Sequence, residues 1–240
     1  MKPIIVIPTY NERENICDLI KIITQESPPP DLDLLVVDSA SPDQTSGAVG
    51  EMQKKIAGLH LLTQPAKLGL GRAYLEGMRW ALDRSYDCLI TMDADFSHHP
   101  SYLKEFLGKL KTYDLVIGSR YVPGGRLENW PWHRRALSKF ANGYAKTLTG
   151  LPFSDLTSGF HGFRTPLLKK ILNHPIHAEG YAFLIELKHL AILERASFLE
   201  IPIIFSDRAR GSSKISKRVI FESMLFVGSL FFRRMCCASR

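Results

Sequence analysis

Through the first half of the chain, short runs of β-branched and aliphatic residues alternate with stretches whose apolar positions recur every three or four residues. Ile4, Ile5, Val6 and Ile7 form the first run, bracketed by Pro3 and Pro8. It is too short for a helix and apolar on both faces of a pleat, so it reads as a buried strand. Runs at 34–37, 59–62, 88–92 and 115–117 predict four more strands. Between the first two, Ile16, Leu19, Ile20 and Ile23 fall at i, i+3, i+4 and i+7, the stripe of a helix that buries one face. Asn11 followed by Glu14 predicts a capping box for that helix, and Pro28-Pro29-Pro30 its end. Helical periodicity also covers 73–82 and 102–110. Such strand–helix alternation predicts an α/β fold with a mostly parallel sheet covered by helices on both faces.

Past Arg120 the alternation stops. Residues 121–133 are a Gly/Pro/Trp loop long enough to carry function. Helices are expected at 134–148 and 183–193, and a strand at 198–205. Residues 219–232 are apolar apart from Glu222, Ser223 and Ser229, but 14 residues cannot cross about 30 Å of hydrocarbon. Lys217-Arg218 and Arg233-Arg234 bracket this segment, so it suits a membrane interface or, equally, a packed core helix.

At 240 residues, 45% hydrophobic and 23% charged, the chain has the makings of one large or two small domains, which excludes disordered and collagen-like classes. Cys17, Cys88, Cys236 and Cys237 form no C-x-x-C pair, so reduced thiols in a cytosolic protein are expected. The four apolar residues after Met1-Lys2-Pro3 are too few for a signal peptide. The net charge of +7 is concentrated in the second half, in 120–146 and 206–240. Such a patch meets nucleic acid, anionic lipid or phosphorylated small molecules, and charge alone does not choose.

In an open parallel sheet, ligands bind beyond the carboxyl ends of the strands. Asp38 ends the second strand, where capping a helix is the more ordinary role, and Asp93-Ala94-Asp95 ends the fourth. Pro100 suits a first helical position, which makes His99 the cap and leaves Asp93 and Asp95 without that job. Two carboxylates so placed suit a hard divalent cation such as Mg²⁺ or Mn²⁺. No H-E-x-x-H surrounds His98-His99. Gly69-Leu70-Gly71 has Tyr74 in place of the third glycine of a dinucleotide fingerprint, and neither a P-loop nor a G-x-S-x-G elbow occurs. The second half supplies cations: Arg120 at the end of the fifth strand, Arg134 and Ser138 at i and i+4 on one helix face, and Arg208, Arg210 and Lys214 in a Gly/Ser loop. Each suits an anion such as a phosphate, and each alone also suits a solvated basic face.

Nine motifs in order carry a resemblance over nearly the whole chain. They are Pro8-Thr9-Tyr10-Asn11-Glu12; Asp38 with Ser41-Pro42-Asp43; Lys67-Leu68-Gly69-Leu70-Gly71; and Asp93-Ala94-Asp95 through Pro100. Then come Gly118-Ser119-Arg120-Tyr121, Asn129-Trp130-Pro131, Asp155-Leu156-Thr157-Ser158-Gly159-Phe160, Glu179-Gly180-Tyr181-Ala182-Phe183, and Arg208 with Gly211-Ser212-Ser213-Lys214. The series resembles the polyprenol-phosphate (dolichol-phosphate) mannose synthases, inverting family 2 glycosyltransferases of GT-A fold. The resemblance implies a GT-A domain over 1–214, with a nucleotide-sugar half at 1–119 and an acceptor half at 120–214, followed by a C-terminal helical extension at 215–240. It implies that Pro8, Tyr10, Glu12 and Asp38 hold the base and ribose. Asp93 and Asp95 would bind Mg²⁺ or Mn²⁺ on the diphosphate, closed over by Arg208 and Lys214, with Asp95 and Arg120 catalytic. Arg120, Arg134 and Ser138 would receive the lipid phosphate. GDP-mannose, a polyprenyl phosphate, the cytoplasmic face of a membrane and a separate small membrane subunit are the implied partners, with no nucleic acid. The chain departs from the pattern at Ser39 (usually Asp), at Ser97 (often Gln) and at His161 (commonly Arg).

A lipid monophosphate, with a second pKa near ~6, is already largely an anionic nucleophile at neutral pH. It needs positioning and charge relief, not a strong base, so Asp155 is expected to orient rather than to abstract a proton. Two other readings fit the same residues: transfer of glucose or an N-acetylhexosamine from a UDP-sugar, and a non-catalytic basic module binding RNA or anionic membrane. A need for divalent metal separates enzyme from module, since the module's affinity would instead fall steeply with salt.

Overall fold

The computed structural model describes residues 1–25, 31–178, 180–207 and 223–228. The predicted strands appear as β1 (Pro3–Thr9), β2 (Asp33–Asp38), β3 (Leu59–Thr63), β4 (Cys88–Thr91) and β5 (Leu115–Ser119). Helices α1 (Arg13–Gln25), α2 (Thr45–Gln53), α3 (Leu70–Leu82) and α4 (Leu103–Lys109) fall between them. The second half adds β6 (Arg126–Glu128), α5 (Trp132–Thr149), β7 (His161–Arg164), α6 (Thr165–Leu172), α7 (Gly180–Leu193), β8 (Phe198–Pro202) and β9 (Ile204–Ser206).

Seven strands form the main sheet in the order β3-β2-β1-β4-β7-β5-β8. All neighbours are parallel except β7, which runs antiparallel to both β4 and β5. Side chains alternate across the sheet, which divides the core in two. Ile4, Val6, Leu35 and Val37 pack with α3, α6 and α7, while Ile5, Ile7, Leu34 and Val36 pack with α1 and α4. The stripe Ile16, Leu19, Ile20 and Ile23 is buried as its spacing predicts.

Three local expectations are corrected. The helix after β1 begins at Arg13, with Glu12 O accepting from the amides of Asn15 and Ile16. Asn11 precedes it with φ 53°, so the Asn11/Glu14 capping box is out of register by one residue. The strand expected at 198–205 is two strands: Ile203 donates its amide to Ser119 O of the main sheet and gives its carbonyl to Arg126, and β9 then pairs with β6. The helix expected at 183–193 starts earlier, at Gly180. The expected His99 cap is present, its Nδ1 accepting from the Ser101 amide at 3.2 Å.

A helix covers 223–228, within the apolar segment whose remainder lies outside the described residues, as do the triple proline, Arg208, Arg210, Lys214 and the flanking basic pairs. Val227 of that helix is buried and Leu225 is 60% exposed. Among the described residues, no helix is long and apolar enough to cross a membrane.

Candidate active site

The sheet order reverses between β1 and β4, and a cleft of about 610 Å³ opens there beyond the strand ends. Of the residues singled out in the sequence, Pro8, Tyr10, Glu12, Asp93, Asp95, Arg120 and Arg134 line it. The sequence scatters them over more than a hundred positions; the parallel connections bring them to one edge.

On the β4 side, Asp93 is partly exposed and Asp95 is buried. Tyr74 of α3 donates to Asp93 Oδ1 at 3.0 Å, and burial together with Asp93 holds the phenol well above its usual range, so it stays a donor. Asp95 Oδ1 accepts from the Ser97 hydroxyl at 2.6 Å and from its amide at 3.2 Å. His98, absent from the expected site, is 1% exposed and lines the cleft. Its Nδ1 accepts the Asp93 amide at 3.1 Å, and burial lowers its pKa, so the ring is a neutral clamp on the backbone of the carboxylate pair. At the neighbouring mouth, Lys67 Nζ sits 3.9 Å above the Tyr10 ring. Gly69 begins α3 at φ 93° and ψ 159°, a region essentially closed to residues with a Cβ.

Asp38 is placed differently from expectation. It is fully buried and does not line the cleft. Thr9 Oγ1 (2.9 Å), Ser46 Oγ (2.6 Å), Ser41 Oγ (2.5 Å) and the Ser41 amide (3.0 Å) occupy both its oxygens. In this geometry it ties the end of β1 to the segment between β2 and α2. Ser39, at the position where the pattern usually has Asp, does line the cleft.

On the β5 side, Arg120 is buried and locked in a fork against Asp155: Nε to Oδ2 and Nη2 to Oδ1, both 2.7 Å. Its Nη2 also donates to Thr157 at 2.7 Å. Burial alone would raise the Asp155 carboxyl, but Arg120 outweighs it and holds the pKa below the usual range. Asp155 is thus ionised at neutral pH, and its fork orients Arg120. Arg134 lies 3.8 Å from the Trp130 ring and pairs with Asp207 at 2.7 Å, both side chains about a third exposed. Ser138 shares the Arg134 face of α5 but does not line the cleft; its hydroxyl meets Tyr121 OH at 2.8 Å. Trp130 and Phe205 close this end edge to face at 5.6 Å.

His161 and Lys188 lie beneath the cleft. His161, where the pattern commonly carries Arg, is buried on β7, and Lys188 Nζ of α7 lies 2.6 Å from its Nε2. The lone lysine in the apolar run of α7 was the one signal in the sequence for this contact.

Residues 4–172 match the glycosyl transferase family 2. A polyprenol monophosphomannose synthase of Mycolicibacterium smegmatis is 41% identical, over 94% of this chain and 85% of that protein. An undecaprenyl-phosphate mannosyltransferase of Micrococcus luteus is 37% identical, over 95% of this chain and 93% of that one. In fold, the chain is similar to glucosyl-3-phosphoglycerate synthase of Mycobacterium tuberculosis, crystallised with Mn²⁺, UDP and glucosyl-3-phosphoglycerate. The TM-score is 0.70 at 18% identity, covering 96% of this chain and 80% of that one. The helix-flanked, mostly parallel sheet is the GT-A arrangement, and with a match across most of its length the chain belongs to glycosyl transferase family 2.

Proposed function

We propose that the protein transfers mannose from GDP-mannose to a polyprenyl monophosphate with inversion at the anomeric carbon, giving polyprenyl-phosphate mannose and GDP. The observation that carries this reading is the layout of the cleft. A carboxylate pair at the β4 end faces it together with two guanidiniums, Arg120 and Arg134, from the β5 end. The activities named for the two relatives, both similar over nearly their whole lengths, support it.

In this reading the nucleotide-sugar lies along the β1–β4 side, with Pro8, Tyr10 and Glu12 against the nucleoside and Asp93 and Asp95 at the diphosphate. The residues fit a hard divalent cation, Mg²⁺ or Mn²⁺. Two carboxylates project from one strand end, and among the described residues no third His, Cys, Asp or Glu completes a protein-only cage. Asp93 and Asp95 would hold the ion, and substrate phosphate oxygens and water would supply the rest of its coordination, as is usual for Mg²⁺. When bound, the ion offsets charge on the departing diphosphate. Arg120 and Arg134 hold the acceptor phosphate. One of its oxygens bonds to the anomeric carbon as the bond from that carbon to the diphosphate oxygen breaks. No proton moves in this step, because the acceptor oxygen is already ionised at neutral pH, and no group in the cleft needs to act as base. Residues 1–119 form the donor half and 120–214 the acceptor half, with Arg208 and Lys214 assigned to the diphosphate from the sequence pattern alone.

Because the acceptor's hydrocarbon tail stays in a bilayer, the enzyme in this reading works at a membrane surface, and the cytoplasmic face is the side assigned to it from the sequence pattern alone. Helix α5 supplies a suitable face. Trp132, Leu137 and Phe140 are 81%, 53% and 62% exposed, on the side away from Arg134, Ser138 and Ala145. Arg135, Lys139 and Lys146 accompany them, and α5 holds no acidic residue. Exposed Met224 and Leu225 extend the patch, and Tyr144 OH donates to Met224 O at 3.2 Å. Basic and aromatic side chains in this pattern suit anionic headgroups.

The test is to incubate the protein with GDP-mannose, UDP-glucose or UDP-N-acetylglucosamine, each with a polyprenyl phosphate and with or without Mg²⁺ or Mn²⁺. Lipid-linked sugar should form from GDP-mannose and only with metal. Transfer from a UDP-sugar alone would replace the donor assignment, and metal-independent transfer would remove the carboxylate role.

A further inference from the structure

Lys188 is a lysine 1% exposed in the middle of α7, below the floor of the cleft. A buried ammonium is costly unless every proton finds an acceptor. Here the amine meets three partners: Leu156 O and Ser158 O at 3.1 Å each, and His161 Nε2 at 2.6 Å. The first two belong to the segment between Asp155 and Gly159. That segment is held elsewhere as well. Glu200 of β8 accepts the amides of Ser154 and Asp155, Asn142 of α5 accepts the Leu156 amide, and the Ser158 hydroxyl donates to Gly118 O. Asp155 carries the fork to Arg120, and Thr157 accepts from the same guanidinium. The amine is therefore one connection away from a cationic group lining the cleft, and touches nothing in the cleft itself.

We propose that Lys188 is a positioning residue: from α7 it staples the backbone carbonyls on either side of Thr157, and so fixes Asp155, Thr157 and the Arg120 guanidinium in the attitude that receives the acceptor phosphate. The inference rests on Arg120 serving the acceptor, as proposed above. Removal of the amine leaves the Leu156 and Ser158 carbonyls and His161 Nε2 without this partner. Burial brings the pKa of Lys188 down to about 7, with Asp155 and Glu200 opposing that fall.

The experiment compares Lys188→Met, which donates nothing, with Lys188→Gln, which keeps two donors, in the full chain. Lys188→Met should lower kcat/KM for polyprenyl phosphate at least tenfold while the affinity for nucleotide-sugar, read by calorimetry, changes less than twofold. Lys188→Gln should recover part of the loss. In the Arg120→Ala background, Lys188→Met should add less than a twofold further loss, because it acts through Arg120. Multiplying losses in the double variant, or acceptor kinetics of the wild type in Lys188→Met, would overturn the role. Loss of the cooperative thermal transition in both variants would make the amine a requirement of folding and overturn it too. If Arg120→Ala alone spares the acceptor, the reading of Arg120 fails, whereas a failure confined to Lys188 leaves that reading intact.

Discussion

At the β4 end of the cleft, two carboxylates accept hydrogen bonds from hydroxyls of Tyr74 and Ser97; at the β5 end, each guanidinium already has a carboxylate partner. Tyr74 and Ser97 hold the carboxylates with neutral hydroxyls, and His98 accepts the backbone amide of Asp93. Asp155 and Asp207, by contrast, neutralise Arg120 and Arg134 while fixing them. A hydroxyl donor orients a carboxylate without bringing a positive charge of its own. A guanidinium held by a carboxylate gives up part of its field but has its side chain ordered before an anion arrives, which lowers the cost of binding. The two arginines also differ from each other. The Arg120 pair is buried, and the Arg134 pair is partly exposed and open to competition.

The largest effect should come from breaking the buried pair. Asp155→Ala leaves Arg120 enclosed without its partner and should cost about 3–5 kcal/mol of stability, read by urea denaturation. A midpoint near that of the wild type would mean that Arg120 relaxes to solvent, and the contrast between the two ends would dissolve. Asp95→Asn should lower kcat by about 10²–10³, the range for loss of one electrostatic stabiliser, with little change in melting, since the amide oxygen still accepts from Ser97. Retention of more than about a tenth of the rate, a barrier change under ~1.4 kcal/mol, would take Asp95 out of the metal–diphosphate role. Arg134→Ala should raise the apparent KM for lipid phosphate about tenfold, near the lower end of the ~1.5–3 kcal/mol for a charge-assisted bond, because the anion must first displace Asp207. An equal loss of nucleotide-sugar affinity would move Arg134 to the donor side.

The last effect is a slope with pH. The pKa of Lys188 is about 7 in the folded protein against an ordinary 10.5. Between these values the unfolded chain binds the extra proton, so stability rises with pH, by at most ~1.4 kcal/mol per unit. Asp155, Glu200, Arg120 and His161 surround the amine. Urea titrations at pH 7 and pH 8.5 should show the rise in the wild type and its absence in Lys188→Gln.

Strands that run apolar on both faces announced themselves in the sequence, because no other element buries Ile4 through Ile7 on two sides. The carboxylates of the site were legible for a related reason: a strand end with Asp-x-Asp and no cap to make places them at a crevice. Strand β7 was not legible. His161-Gly162-Phe163-Arg164 has neither length nor alternation, and it is a strand because β4 and β5 leave a gap for it. A Cβ on Gly162 would stand 2.9 Å from Leu110, so even its glycine is explained only by the packing. The Arg120–Asp155 fork joins residues 35 positions apart, and no local pattern marks such a pair. The hydrogen bonds around Asp38 were illegible for a kindred reason, since the Thr9 hydroxyl comes from β1 while those of Ser41 and Ser46 come from the stretch that follows Asp38 itself.

Ile203 hydrogen-bonds to the main sheet with its amide and to the small ribbon with its carbonyl. From that fixed point, alternation alone decides what the next residues face. Phe205 turns toward His98 and Trp130, and Asp207, one repeat later, reaches Arg134. This short stretch therefore has a reading frame of its own. Deleting one residue between Ile203 and Asp207 would send Ser206 to the place of Phe205 and turn the carboxylate away from Arg134, although no charge or ring had been removed from the protein. Substitutions here would be forgiven individually where they keep size, but a change in length would not.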